Sequence, residues 1–189
     1  MAYLRTKAKV QTHPTAEPID LAEAKLYLRV DTSADDALIE AMITAARESV
    51  ERYTSRALVT QTIVEKLDSF PPFGFRLSYH PAQSITSITY KDSNGATQTL
   101  STDVYMLDNY DVPNAVVLKA NQTFPTTYDE HNVVTVTYVA GEDVSAVPKP
   151  IIQAMYLLIA DYYENRTDYV KRQATAAEYL LNQYRVFVF

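Results

Sequence analysis

Cysteine is absent from this chain of 189 residues, which at once excludes disulfides, thiolate metal sites and a cysteine nucleophile. The fold has to be held by packing. Glycine is scarce as well, with only Gly74, Gly95 and Gly141. A phosphate-cradling loop or a dinucleotide fingerprint needs clustered glycines, so neither can be assembled. Basic residues fall short of acidic ones, 17 against 23, for a net charge of -6. A surface that grips nucleic acid by neutralising phosphates needs the opposite balance. No apolar run approaches the roughly 20 residues that cross a bilayer. The longest, IIQAMYLLIA at 151–160, is far shorter and carries Gln153, so it reads as a buried helix. The opening MAYLRTKAKV is too polar for a signal peptide, and a cytosolic folding environment is expected.

Chemistry-bearing patterns are missing too. His13, His80 and His131 are scattered without a second histidine at helical ligand spacing, and surface or strand-edge positions are expected for them. DSNG at 92–95 looks like the start of a calcium loop, but the bidentate Glu that closes such a loop is absent; LDNYD at 107–111 places Tyr110 where an oxygen ligand would be needed. Turns explain both. The carboxylate pairs Asp35 with Asp36 and Asp129 with Glu130 fall at a helix start and in a loop, where solvation is the default. No serine stands in a nucleophile-elbow context. No enzyme, cofactor or metal site is therefore expected.

The sequence does contain 47% hydrophobic residues, enough for a real core in one domain or one domain with a large insertion. PIDLAEAKLYLRV at 18–30 opens with Asp20 and Glu23 in capping-box spacing, and a helix is predicted from Leu21 to Leu28. DTSADD then reads as a turn with Ser33 as the next cap and Asp35 and Asp36 in the first helical turn, where negative charge suits the dipole. From Ala37 to about Thr54, Leu38, Ile39, Met42, Ile43, Ala46, Val50 and Tyr53 mark one face. Glu40, Arg47, Glu48, Glu51 and Arg52 lie opposite, with Arg47 and Glu51 in i,i+4 spacing.

After Leu58 the composition changes to Thr, Val and Tyr with frequent turn residues, which reads as strands. SITSITYKDSNGATQTL at 84–100 suggests a hairpin turning at Asn94-Gly95, and further strands are expected at 103–107, 115–119 and 132–140. Helix returns in VPKPIIQAMYLLIADYYENR at 147–166, with Pro148 and Pro150 tolerated in its first turn. Apolar residues surround this helix, so it has to be covered on more than one side. A short helix at about 173–183 precedes an extended, hydrophobic terminus. The fold class is α+β, a small antiparallel helical bundle with a mostly antiparallel β unit inserted between the second and third long helices. The boundaries are a flexible N-terminal arm at 1–18, a helical core at 19–58 and 146–168, the β unit at 59–145, and a short helix with a docking tail at 169–189. The arm carries Arg5, Lys7 and Lys9 and reads either as solvated or as docking on an acidic neighbour or near DNA.

Four stretches in this order, TAEPIDLAEAKLYLRVD, DDALIEAMITAARESVERYTSRALVTQT, SITYKDSNG and VPKPIIQAMYLLIADYYENR, resemble the head-tail connector, or adaptor, proteins of tailed bacteriophages and gene transfer agents. The resemblance runs from about Ala16 to Arg166 and returns weakly at YLLNQYRVF; Phe124-Pro125 stands where the family pattern has Trp-Pro. It implies a structural virion protein at the head-tail interface, in a ring, usually of twelve copies, beneath the portal protein. It also implies a tunnel for double-stranded DNA, a platform for a tail-completion or stopper protein, and no membrane. On that reading Arg47, Glu51, Tyr162, Tyr163 and Arg166 are candidates for the contact between subunits, since tyrosine and arginine suit interface anchors. Tyr162 as intramolecular core and Arg166 as a helix cap remain the alternatives. Tyr184, Arg185, Val186, Phe187, Val188 and Phe189 form an apolar tail suited to docking on the portal, or to folding back on the chain's own β unit. A second functional reading is a receptor- or glycan-binding β module of a phage tail or baseplate, with Tyr79, Tyr90, Tyr105, Tyr110 and Tyr128 as stacking platforms.

Overall fold

The computed structural model describes residues 7–165 and 175–187. Two compact units emerge, and each draws on separate parts of the chain. Of the described residues, 14–59, 142–165 and 175–186 form one, mainly helical, and 7–13, 60–141 and 187 form the other, mainly strands. The expected α+β architecture, with its strand unit between the second and third long helices, is the observed one.

In the helical unit, α1 (Leu21–Leu28) starts in the predicted capping box: Asp20 Oδ1 accepts from Glu23 N at 2.7 Å, and Asp20 N donates to Glu23 Oε2 at 3.2 Å. Helix α2 (Asp36–Thr54) has Asp35, not Ser33, at its N-cap, without a side-chain cap bond. Helix α3 (Lys149–Glu164) begins on Pro148 and carries Pro150 in its first turn, and α4 (Ala176–Asn182) starts in a second capping box of Thr175 and Glu178. All four helices share one core. Ile39, Ile43, Ala46 and Val50 of α2 meet Ile151, Ala154, Met155 and Ile159 of α3, with Ala177 and Leu181 of α4 and Ala24 of α1. Each fully buried Ile or Leu here contributes about 1.5–3 kcal/mol.

The strand unit contains a five-stranded antiparallel sheet in the order β1 (Lys7–Thr12), β2 (Gln61–Leu67), β8 (Val134–Ala140), β4 (Ala82–Lys91) and β5 (Thr97–Thr99). A second antiparallel sheet is ordered β3 (Gly74–Arg76), β7 (Ala115–Leu118) and β6 (Tyr105–Asp108). Period-two alternation fixes the register. Gln61, Ile63, Glu65 and Leu67 oppose Ala140, Tyr138, Val136 and Val134, and all eight are buried. The expected flexible arm is corrected within the described residues, because residues 7–12 pair with β2 as an edge strand. The hairpin between β4 and β5 turns at the predicted place by a different device. Asp92 Oδ1 accepts from Asn94 N and Ala96 N at 2.9 and 3.0 Å, and only Gly95 of the Asn-Gly pair takes a positive φ, +81°.

Candidate interaction surfaces

The arginine and glutamate expected at a subunit contact sit inside the helical unit instead. Arg47 is 2% exposed and Glu51 4% exposed. Arg47 Nη1 donates to Glu51 Oε2 at 2.8 Å, and Arg47 Nε donates to Glu17 Oε2 at the same distance. Thr44 Oγ1 donates to the other Glu17 oxygen at 3.0 Å, and Leu58 N donates to Glu51 Oε1 at 2.8 Å. The expectation that Arg47 and Glu51 face a neighbour is therefore corrected. Two carboxylates and one guanidinium compensate one another internally, which a buried charge requires. Burial pulls the Arg47 guanidinium down, but the hydrogen bond to Glu17 and the charges of Glu51 and Glu17 outweigh it and hold it above its ordinary value. The clamp ties the segment before α1, the middle of α2 and the exit toward the strands. Sequence periodicity missed it because Arg47 and Glu51 lie on the polar flank of α2; the acid Glu17, thirty positions upstream of Arg47, was the remaining signal.

The aromatic end of α3 is half-buried. Tyr163 donates its hydroxyl to Asp35 Oδ2 at 2.7 Å, and the Tyr162 hydroxyl lies 3.2 Å from Ser49 Oγ. Both rings pack against the helical core, so a large part of each serves the chain's own fold. Arg166 lies outside the described residues.

The terminal segment also turns inward at first. Val186 is buried and donates its amide to Thr54 O at 2.9 Å, and Tyr184 O accepts from Arg56 Nε at 2.9 Å. The Arg185 guanidinium stands 5.1 Å from the centre of the Tyr53 ring, and Tyr53 OH donates to Asn182 Oδ1 at 2.7 Å. Tyr184, Arg185 and Val186 thus fold onto the C-terminal end of α2. The expected extended docking tail is corrected for these three, and the surface they use is helical rather than the β unit. Phe187 is 53% exposed, while Val188 and Phe189 lie outside the described residues.

The family model for head completion proteins matches residues 17–180. The chain belongs to the head completion protein family. Glu17, the outer carboxylate of the clamp, is the first residue matched, and Leu180 in α4 the last, so the match takes in both units. No curated protein matches the sequence. Among solved structures, a chain of the virion of a native gene transfer agent (GTA) particle is similar with a TM-score of 0.80 and 22% identity over 96% of each chain. Chains from the neck of an empty GTA particle computed with C6 symmetry and from the neck of a native GTA particle computed with C12 symmetry both reach 0.79 over 97% of each chain, at 22% and 21% identity. At such identities the likeness is one of fold.

Among the described residues, the exposed apolar side chains of this head completion protein include two that the sequence patterns did not single out, Leu26 and Phe73, and one that they did, Tyr110. Leu26 on α1 is 81% exposed, Phe73 before β3 is 87% exposed, and Tyr110 at the tip between β6 and β7 is 99% exposed. Tyr105 is buried, and Tyr90 is half-buried with its ring edge-on to Phe70 at 5.6 Å, which removes two of the five proposed stacking platforms. His80 is fully buried, contrary to the expected surface position; its Nδ1 accepts from Asn114 N at 3.0 Å. His131 is exposed beside Asp68, with Nδ1 3.1 Å from Oδ2. The Asn132 amide and His131 together hold the Asp68 carboxyl below its usual range. Among the described residues no group of three or more His, Asp or Glu side chains could hold a metal ion, and no helix is long and apolar enough to cross a membrane.

Proposed function

We propose that this head completion protein is a head-tail connector. It forms a ring, of twelve copies, at the virion neck, joins the portal to the next tail-completion or stopper protein, and leaves a channel through which double-stranded DNA passes. The family match over residues 17–180 carries this reading, and the shared fold with chains of GTA necks supports both the location and the twelve-fold arrangement. Its action is mechanical: the ring needs two unlike, complementary surfaces on every copy, closed by rotation. A net charge of -6 suits a channel that passes DNA without holding its phosphates. Tyr162 and Tyr163 keep a half-buried edge for the subunit contact, and Phe187 is the described part of the terminal segment assigned to the portal.

Electron microscopy of the purified protein, alone and with the portal protein, tests the reading. Closed rings, or a collar seated on the portal, are expected. A monomer at high concentration that leaves the portal bare refutes it.

A further inference from the structure

Phe73 is an exposed aromatic that the fold holds in place from both sides. Before it, Phe70 stacks on Phe124 with ring centres 4.7 Å apart and 4° between planes. After it, Gly74 takes φ +134°, and a Cβ there would fall 2.3 Å from Val116 O, so the backbone lies directly against β7. Pro71 and Pro72 restrict the turn between these fixed points. An aromatic presented on such a tip gives large contact area with little conformational entropy left to lose on binding.

A shallow, open concavity lies in the helical unit. Helix α1 buries only Ala24, and its outer side forms a groove of about 510 Å³ lined by Leu21, Ala22, Lys25, Leu26, Val30 and Asp31. Its lining is mostly apolar, and the Lys25 ammonium is held by its ion pair with Asp36. The flanking charges are opposite: exposed Arg76 follows Phe73 by three positions, and exposed Asp31 borders the groove.

We infer that Phe73 of one copy seats in the α1 groove of the next, with Arg76 facing Asp31 across the contact. The inference rests on the ring reading and names the surfaces that would build it. A knob and a groove on different parts of one chain give a head-to-tail contact, which repeats from copy to copy and closes by rotation. A desolvated aromatic in an apolar groove is also the kind of group that dominates binding energy at interfaces.

The cysteine-free sequence makes a direct test available. Full-length Phe73→Cys and Leu26→Cys proteins, purified separately, are mixed and oxidised during assembly, with rings followed by electron microscopy. A reducible covalent dimer is expected from the mixture and from neither protein alone, and the doubly substituted chain should give a ladder of multimers. Phe73→Ala should weaken self-association at least tenfold while leaving the unfolding midpoint unchanged, because the side chain is exposed. Rings that form without the 73–26 bond, or in which 73 bonds only to 73 or to the portal, overturn this contact and leave the ring reading standing. An unsubstituted chain that assembles under no condition, with or without portal, overturns the ring reading and the contact with it.

Discussion

Arg47 and Glu51 meet at 2.8 Å, one helical turn apart and both buried, and the second oxygen of Glu51 caps the amide of Leu58. Surface pairs of this spacing are worth a few tenths of a kcal/mol. This one has no water to fall back on. Arg47→Met should destabilise the protein by about 3–5 kcal/mol, because Glu51 is left as an uncompensated buried charge. Glu51→Gln keeps an acceptor for Leu58 N and should cost less, about 1–3 kcal/mol. Urea unfolding at neutral pH measures both. Equal losses below about 1 kcal/mol would show that the clamp is solvated.

Tyr138 sets an alkaline limit on stability. Burial, followed by the charge of Glu65, pushes its phenol well above its ordinary value. The unfolded phenol titrates near pH 10. A raised folded value gives stability that is fully present below that pH and is lost as the pH rises beyond it. Tyr138→Phe should therefore flatten the fall in unfolding free energy between about pH 9 and 11, leaving the smaller contributions of Tyr105 and Tyr156, which are also raised. At pH 7 the same change should cost about 1–3 kcal/mol, since Tyr138 OH donates to Glu65 Oε2 at 3.2 Å and accepts from Tyr79 N at 3.1 Å. An alkaline limb as steep in the variant as in the parent contradicts the assignment.

Gly74→Ala should open the smaller sheet. The new methyl meets a backbone carbonyl rather than a flexible side chain, at a φ that L residues rarely adopt. A loss of more than about 1 kcal/mol is expected, and hydrogen exchange should show amide protection falling first in β3 and β7. Full protection there would mean that the strands shift to make room.

The sequence made the elements that depend on local chemistry legible. The Asp20 and Glu23 capping box fixed the start of α1 to the residue, and the β-branched run VVTVTYV marked β8. Where partners lie far apart in the chain, the same reasoning stopped short. Lys7–Thr12 looked like a free arm because its pairing partner begins at Gln61, and nothing local marks an edge strand. Arg47 and Glu51 looked like surface open to a neighbouring subunit because their compensation comes from Glu17 and from the amide of Leu58. Tyr184 to Val186 looked like surface to be covered by another protein, yet the end of α2 covers part of it. Phe73 drew no notice, since exposure of a lone aromatic after two prolines is set by Gly74 and β7.

The chain leaves the helices and returns to them at neighbouring residues. Gln61 pairs with Ala140 at the base of the strand unit, and on the helical side Val59 bridges to Glu142. A segment whose two ends are already stapled together can grow, shrink or be exchanged at little entropic cost, about 0.6 kcal/mol for each doubling of a flexible length. The helical core is built from residues up to Val59 and from Val144 onward, so no residue of that segment belongs to it. Lengthening or shortening the loops of that segment is therefore expected to leave the packing of the helical core unchanged.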